Sequence, residues 1–210
     1  MKAAAAATAA QRSETAGTIA DRAAAGYCLF ATALGSCAIA WRETGESGTP
    51  FAVTYFQLPE ATAQIAESRI ARKSGALRSD APPVGISQII ARVRKHLLGD
   101  AQDFRDVTLD LQGTGAFARL VYHAAREIVA GETTTYGAIA QAVGEPGAAR
   151  AVGRALGANP IPLIVPCHRV LAAGGKSGGF SAHGGRDTKA RLLEIEGARL
   201  PSSLATRMLF

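Results

Sequence analysis

The sequence predicts an α+β fold: a small N-terminal antiparallel sheet with helices, followed by a mostly helical C-terminal domain that holds a helix-turn-helix and a short strand leading to Cys167. Three observations predict it. Aromatic and β-branched runs cluster before residue 60, apolar stripes of helical period fill much of the remainder, and Gly and Pro punctuate the second half at short intervals. The 210 residues, 48% hydrophobic and 19% charged, suffice for one large or two small cores. No segment approaches the roughly 20 continuous apolar residues that cross a bilayer, so no membrane partner is expected.

Residues 1–25 form an Ala-rich, Ser/Thr-containing extension without the leucine-rich core of a secretory signal, and a flexible tail is expected. The next domain is placed at residues 26–112. Apolar runs between Tyr27 and Trp41 flank Gly35-Ser36, and Phe51 to Leu58 adds a third strand. Helices are expected over Pro59 to Lys73 and along the stripe Ile86, Ile89, Ile90, Val93 and Leu97, separated by Ser79 to Pro83. Val107 to Leu111 reads as a last strand before Gly113-Thr114-Gly115.

The second domain is placed at 113–200, with a tail over 201–210. A helix from Ala116 to Ala130 stops at Gly131, and Thr133 to Thr135 offer N-cap chemistry for a helix that begins near Tyr136 and ends at Gly144. After the turn Glu145-Pro146-Gly147, a third helix spans Ala148 to Leu156, stopped by Gly157 and Pro160. Thr134 to Leu156 therefore has helix-turn-helix proportions, although packed helix pairs share that pattern. Ala148, Ala149, Ala151 and Gly153 make one surface of the third helix nearly smooth around Arg150, which permits close backbone approach. The last helix is expected over Arg186 to Gly197.

The formal net charge is +6. From Gly115 onward there are 11 Lys and Arg against 6 Asp and Glu, whereas residues 1 to 114 hold 12 against 11, so the basic excess lies in the second half. A surplus of this size favours a polyanion only weakly. Three cysteines, Cys28, Cys37 and Cys167, make no even disulfide framework, and a reducing, cytoplasmic setting is expected. No Cys-x-x-Cys or His-x-x-x-His spacing supports a metal site.

The chemistry concentrates in Asn159-Pro-Ile-Pro-Leu-Ile-Val-Pro-Cys167-His168-Arg169-Val170. Ile161 to Val165 suit a buried strand, and Pro166 biases Val165 toward extended backbone, so Cys167 is expected where a strand stops. A thiol becomes a nucleophile as the thiolate, favoured by a nearby base or cation, and His168 and Arg169 offer both. Neighbouring strand residues face opposite ways, so Cys167 and His168 would touch directly only if the backbone turned after Pro166; a bridging water is expected. Stripped of these neighbours, a lone cysteine reads equally well as a small buried hydrophobe.

Pro166-Cys167-His168-Arg169-Val170, after a helix-turn-helix and Asn159-Pro160, resembles the signature of the O6-alkylguanine-DNA alkyltransferases. The likeness covers roughly Gly113 to Gly197. It implies direct, stoichiometric transfer of an alkyl group from O6-alkylguanine in double-stranded DNA to Cys167, with no cofactor, by a monomer, and leaves O4-alkylthymine open as a second substrate. The resemblance also assigns parts. Glu196 orients His168, which takes the Cys167 proton through water, while Arg150 replaces the flipped nucleotide in the minor groove. Tyr136 rotates the target phosphate and meets the guanine near N3, and Asn159 ties the recognition helix to the nucleophile. Pro162 forms a pocket wall, the carbonyls of Cys167 and Val170 accept from the guanine amine, and the loop Gly178 to Ser181 closes the pocket, with Ser181 donating to O6.

The chain departs from the family pattern at Phe117-Ala-Arg-Leu-Val121-Tyr122, where Phe-Gln-x-x-Val-Trp is usual, at Phe180 in place of a common Tyr, and at Arg154, often a small residue. The pocket loop also looks somewhat longer. These changes bear on substrate range and DNA affinity. Three rival functions stay open: a damage-binding module, which would lack the acceptor thiol; a cysteine hydrolase built from Cys167, His168 and Glu196, for which adjacent Cys and His are awkward; and a helix-turn-helix regulator indifferent to Cys167→Ser.

Overall fold

The computed structural model describes residues 25–198 except 47, 49, 176 and 177. The expected tails therefore lie almost wholly outside the described residues. Strands β1 (Ala25–Thr32), β2 (Gly35–Glu43) and β3 (Phe51–Gln57) form the antiparallel meander, and the two-residue β4 (Leu77–Arg78) adds to β1 in parallel, giving the order β3-β2-β1-β4. The β1–β2 turn falls at Ala33-Leu34, with Thr32 paired to Gly35, two residues before the expected Gly35-Ser36.

The period-two pattern decides what each face covers. Tyr27, Ala38 and Ala40 pack with Ile70 of α1 (Ala63–Ser74), while Cys28, Phe30, Cys37, Ile39 and Trp41 face the main core with Ile86, Ile90 and Val93 of α2 (Val84–His96). Val53 and Phe56 are three apart, yet both join the main core. A register shift at Ala40/Trp41, where Tyr55 pairs with Ala40 and Val53 with Trp41, inserts the extra residue that makes this possible. Thr62 caps α1 by accepting from the Ile65 N–H, and Gly75, at φ 64°, ends it with a bond to Ala71 O.

Val107 to Leu111 does not form the expected strand; Leu109 makes a single parallel bridge to Val53, flanked by Val53 N–H to Thr108 O (2.9 Å) and Asp110 N–H to Val53 O (2.9 Å). The next helix, α3 (Ala116–Arg126), stops four residues short of the expected Ala130. Arg126 explains part of this: its Nη2 donates to the carbonyls of Phe104, Arg105 and Val107, each at 2.8 Å, holding the helix end against the preceding loop.

The helix-turn-helix is present as α4 (Tyr136–Ala142) and α5 (Ala149–Gly157). Thr135 caps α4, accepting from the Ala138 N–H at 3.1 Å, and buried Tyr122 of α3 donates to Ala155 O at 2.9 Å, locking α3 to α5. Two-residue strands β5 (Thr134–Thr135) and β6 (Val170–Leu171) pair in parallel, and α6 (Arg186–Ile195) closes the described chain. The main core runs without a break from Cys28 in β1 to Leu192 in α6. Among the described residues no helix is long and apolar enough to cross a membrane.

One expected element is replaced. Ile161 to Val165 is not a strand but a tight turn, with Pro162 bridged to Val165 and Leu163 at φ 74°, the one non-glycine positive φ among the described residues. The short strand of the expected fold is instead β6, which follows the turn Cys167–Arg169 rather than leading to Cys167. The apolar residues are buried as a turn against two parts of the chain at once, and the Phe56 N–H reaches across to Pro160 O at 3.0 Å. Strained backbone of this kind persists where surrounding contacts over-determine it, commonly beside functional residues.

Candidate active site

Cys167, His168 and Arg169 form a single 3-10 turn, all three buried. With about three residues per turn, consecutive side chains diverge by about 120° instead of alternating. The chain does turn after Pro166, yet this separates the thiol from the imidazole. His168 and Arg169 point to Glu196, just past the end of α6, while Cys167 lines the neighbouring cavities.

Asn159 braces the approach to the turn. Its Nδ2 donates to Val165 O at 2.9 Å and its Oδ1 accepts from the Ile161 N–H at 3.0 Å, closing the loop between α5 and Cys167. Burial pushes the Cys167 thiol up. A hydrogen bond from Asn159, the charge of Lys189, and the backbone N–H groups of Cys167 and His168 act in the opposite direction. Burial pushes Cys28 and Cys37 up to about 11 and about 12, opposed only by the charge of Arg94 at Cys28 and by a hydrogen bond with Thr32 at Cys37.

The cation beside the thiol is thus Lys189, not the expected Arg169, whose guanidinium is turned to Glu196 by the 3-10 geometry. Lys189 is fully buried in α6, donates to Val170 O at 2.7 Å and lies 5.9 Å from the Tyr136 ring. Burial pulls it down to about 8, although the charge of Cys167 opposes this. Its spacing could have exposed it: Lys189, Leu192, Leu193 and Glu196 share one helical face, which is the buried one.

Glu196 is the hub. Its side chain is 1% exposed, and Oε1 accepts from His168 Nε2 (2.9 Å), Arg169 Nη2 (2.8 Å) and His96 Nε2 (2.9 Å), while Oε2 accepts from Arg169 Nε at 2.9 Å. Arg169 Nη1 also donates to Ile128 O. Burial raises the Glu196 carboxyl, but the hydrogen bonds from His168, His96 and Arg169 outweigh it and hold the carboxyl far below its ordinary value. Burial pushes the His168 imidazole down, Glu196 pulls it up, and the charges of Arg169 and His96 push it down again, with a net lowering. Since Nε2 donates to the carboxylate, Nδ1 is the acceptor nitrogen of neutral His168, and it makes no hydrogen bond within the protein. His96, the last residue of α2, did not figure among the expected site residues. It sits three positions beyond Val93 on the stripe that identified that helix.

A cavity of about 730 Å3 lies over Cys167, walled by Tyr136 and Gly137 of α4, by Ala149, Arg150 and Gly153 of α5, and by Phe180 and Ser181. Arg150 is exposed at its edge. Ala148 and Ala151, expected on the same surface, do not line it. Tyr136 and the loop are in close contact: a Cβ on Gly178 would lie 2.8 Å from the Tyr136 hydroxyl. A second cavity of about 280 Å3 also reaches Cys167, Phe180 and Ser181, and Pro162 lines this one. The Val170 side chain is fully buried; its carbonyl serves Lys189, and the Cys167 carbonyl serves the Val170 N–H. Each carbonyl retains a second lone pair.

A helix-turn-helix face, a cavity and a buried thiol at its floor therefore form one continuous surface, and comparison with known proteins agrees with it. Residues 116–198 match the family model for the 6-O-methylguanine DNA methyltransferase DNA-binding domain. The chain is 47% identical over 122 residues, 58% of its length, to the methylated-DNA–protein-cysteine methyltransferase of Mycobacterium tuberculosis, covering 72% of that protein. It is 46% identical over 107 residues, 51% of its length, to the protein of the same name from Methanosarcina acetivorans, covering 66% of that one. Among solved structures, Mycobacterium tuberculosis OGT in complex with DNA superposes with TM-score 0.63 at 35% identity, over 85% of this chain and 97% of that one. The O6-methylguanine-DNA methyltransferase of Pyrococcus kodakaraensis gives 0.59 at 27%, over 83% and 99%. By sequence, fold and the arrangement around Cys167, this chain belongs to the methylated-DNA–protein-cysteine methyltransferase family.

Proposed function

We propose that this protein repairs double-stranded DNA by moving the alkyl group of O6-alkylguanine onto Cys167, once per molecule. The observation that carries this is the buried Cys167 at the floor of the cavity between α5 and the Phe180–Ser181 loop, one residue from an imidazole held by a buried carboxylate. The target base, extruded from the duplex, enters this cavity from the α5 side, and Arg150 at its edge occupies the gap left in the stack. The smooth surface of Ala148, Ala149, Ala151 and Gly153 lets that helix approach the minor groove.

His168, neutral and with Nδ1 unprotonated, accepts the thiol proton through a water; Glu196 fixes the tautomer that makes this possible. The thiolate sulfur then bonds to the alkyl carbon as the bond from that carbon to guanine O6 breaks. Electrons released onto the guanine are met by donors from Tyr136 and Ser181, and the base leaves neutral once protonated. The positive charge of Lys189 favours the thiolate before transfer and has no anion to stabilise afterwards. The product is a neutral thioether with no facile leaving group, so one turnover exhausts the protein, and no cofactor takes part. Asn159 keeps the recognition helix and the nucleophile in register. Residues 26–112 serve as the scaffold against which the domain at 113–200 holds its turn.

The test is a stoichiometric reaction with a duplex carrying O6-methylguanine, read by intact mass and peptide mapping. One added methyl group on Cys167 alone, abolished by Cys167→Ala, is expected. An unmodified protein that still prefers the lesion would identify a damage sensor, and repeated turnover would identify a hydrolase.

A further inference from the structure

The carboxylate that orients His168 is held from three sides, and one of these comes from the N-terminal part of the chain. His96 ends α2 and is 1% exposed, with its Nδ1 accepting the Gln102 N–H at 3.1 Å. That bond places the ring proton on Nε2, which can then only donate to Glu196 Oε1, 2.9 Å away. The edge-to-face Phe104 ring, 5.5 Å between centroids, fixes the imidazole plane. The backbone around the carboxylate is confined as well: a Cβ on Gly131 would lie 3.1 Å from Glu196 O, and one on Gly99, three residues after His96, 3.8 Å from Ile195 O.

We propose that His96 is a positioning residue of the alkyl-transfer centre: by donating Nε2–H to Glu196 Oε1 it anchors the carboxylate to the N-terminal part of the chain and shares its negative charge, so that His168 is oriented without being held protonated. The physical problem is one of balance. A buried carboxylate with a single imidazole partner draws that imidazole toward its protonated, inactive form, whereas a base must be neutral at working pH. Each additional donor on Oε1 reduces the charge that His168 experiences while leaving the hydrogen bond that selects its tautomer. On Oε1 Arg169 Nη2 supplies one such donor and His96 Nε2 the other, while Arg169 Nε donates to Oε2. The groups facing His96 are Glu196 beyond α6, with His168 and Arg169 on the same carboxylate; on its own helix, Arg92 lies 5.2 Å above the Phe104 ring and pairs with Asp106.

This inference rests on the proposed alkyl transfer, and the experiment separates the two. Single-turnover transfer from O6-methylguanine duplex is timed between pH 5.5 and 9 for the wild type, His96→Phe, which keeps a ring but no donor, and His96→Gln, whose amide nitrogen can reach the carboxylate. Loss of the donor should move the acidic limb to higher pH, because His168 then stays protonated longer. The ratio of rates at pH 8 to pH 6 is expected to rise at least about threefold in His96→Phe and to return toward wild type in His96→Gln. If His96→Phe does not fold, His96→Asn, too short to reach Glu196, takes its place with the same expectation. Histidine ring NMR titration supplies a reading independent of DNA: the His168 transition should rise in the donorless variant even if no substrate is turned over. An acidic limb and a His168 titration identical in wild type and donorless variant would overturn the proposal, as would a Gln variant that behaves like Phe, since a merely structural role would lower stability without moving either.

Discussion

The reactivity of Cys167 is decided by a few neighbours whose effects oppose one another. Burial disfavours the thiolate, and Asn159, Lys189 and two backbone N–H groups favour it. Lys189 contributes the positive charge, held without solvent contact and pulled down to about 8, so at neutral pH it is mostly protonated. Lys189→Met keeps most of the side-chain volume and removes the charge. Alkylation of Cys167 by iodoacetamide at pH 7.5 is expected to slow by about tenfold, with a matching loss in transfer from O6-methylguanine. An unchanged rate would show that the sulfur does not depend on this cation. The same residue teaches how the sequence could have been read further. A lysine followed three and four residues on by Leu192 and Leu193 faces inward with them, as does Glu196 seven residues on.

At the scale of elements, α4, α5 and the loop 178–181 border the cavity with the small residues Gly137, Gly153 and Gly179. Gly153 faces the Tyr136 ring at van der Waals distance, and Gly178, at φ 66°, passes so close to the Tyr136 hydroxyl that a Cβ would overlap it. Gly178→Ala must displace either the loop or Tyr136, and it also places alanine in a left-handed conformation. Transfer is expected to fall by about tenfold or more, since sub-ångström misplacement of a reacting group carries costs of that order. The melting temperature should change less than the activity, because of the loop 178–181 only Phe180 packs against the main core. Equal losses of activity and stability would mean that the loop is structural. The helix-turn-helix, the α2 stripe and the Thr135 cap were legible because each is a local pattern. The run Ile161 to Val165 was not: four apolar residues around Pro162, flanked by Pro160 and Pro166, suit a strand or a buried turn equally, and only contacts such as Phe56 N–H to Pro160 O and Asn159 Nδ2 to Val165 O choose the turn.

For the whole molecule, the buried cluster around Glu196 links folding to pH. The Glu196 carboxyl is held below its ordinary value of 4.5, so its contribution to stability is complete above that pH and is lost progressively as the pH falls below it. Lys189 works on the other side. Its folded value lies below its ordinary 10.5, so the unfolded chain binds the proton more readily between about 8 and 10.5, and stability due to this residue rises with pH through that window. Glu196→Gln leaves the Arg169 guanidinium buried opposite a neutral amide. It should destabilise the protein by about 3 kcal/mol at pH 7 and flatten the decline of stability below pH 4.5, as measured by urea unfolding across pH. A variant as stable as the wild type, or an unchanged acid slope, would show that the ion cluster carries no net stability.

The sequence by itself determined the α+β class, the three-stranded meander, the helix-turn-helix and the candidate nucleophile, because alternation, helical period, capping residues and the Pro-Cys-His-Arg-Val motif are properties of neighbours along the chain. It also placed Glu196 and Tyr136 near the chemistry through resemblance to a family. Tertiary structure alone decided how the charges are shared. Arg169 adjoins Cys167 in sequence yet serves Glu196, Lys189 lies 22 residues away yet serves the thiol, and His96 reaches Glu196 across 100 residues. A 3-10 turn sends the thiol to the cavities and the next two side chains to Glu196, and a continuous core brings distant stripes together. No local pattern specifies either outcome, because buried charges find partners according to which helix faces pack, and that packing is settled only when the whole chain folds.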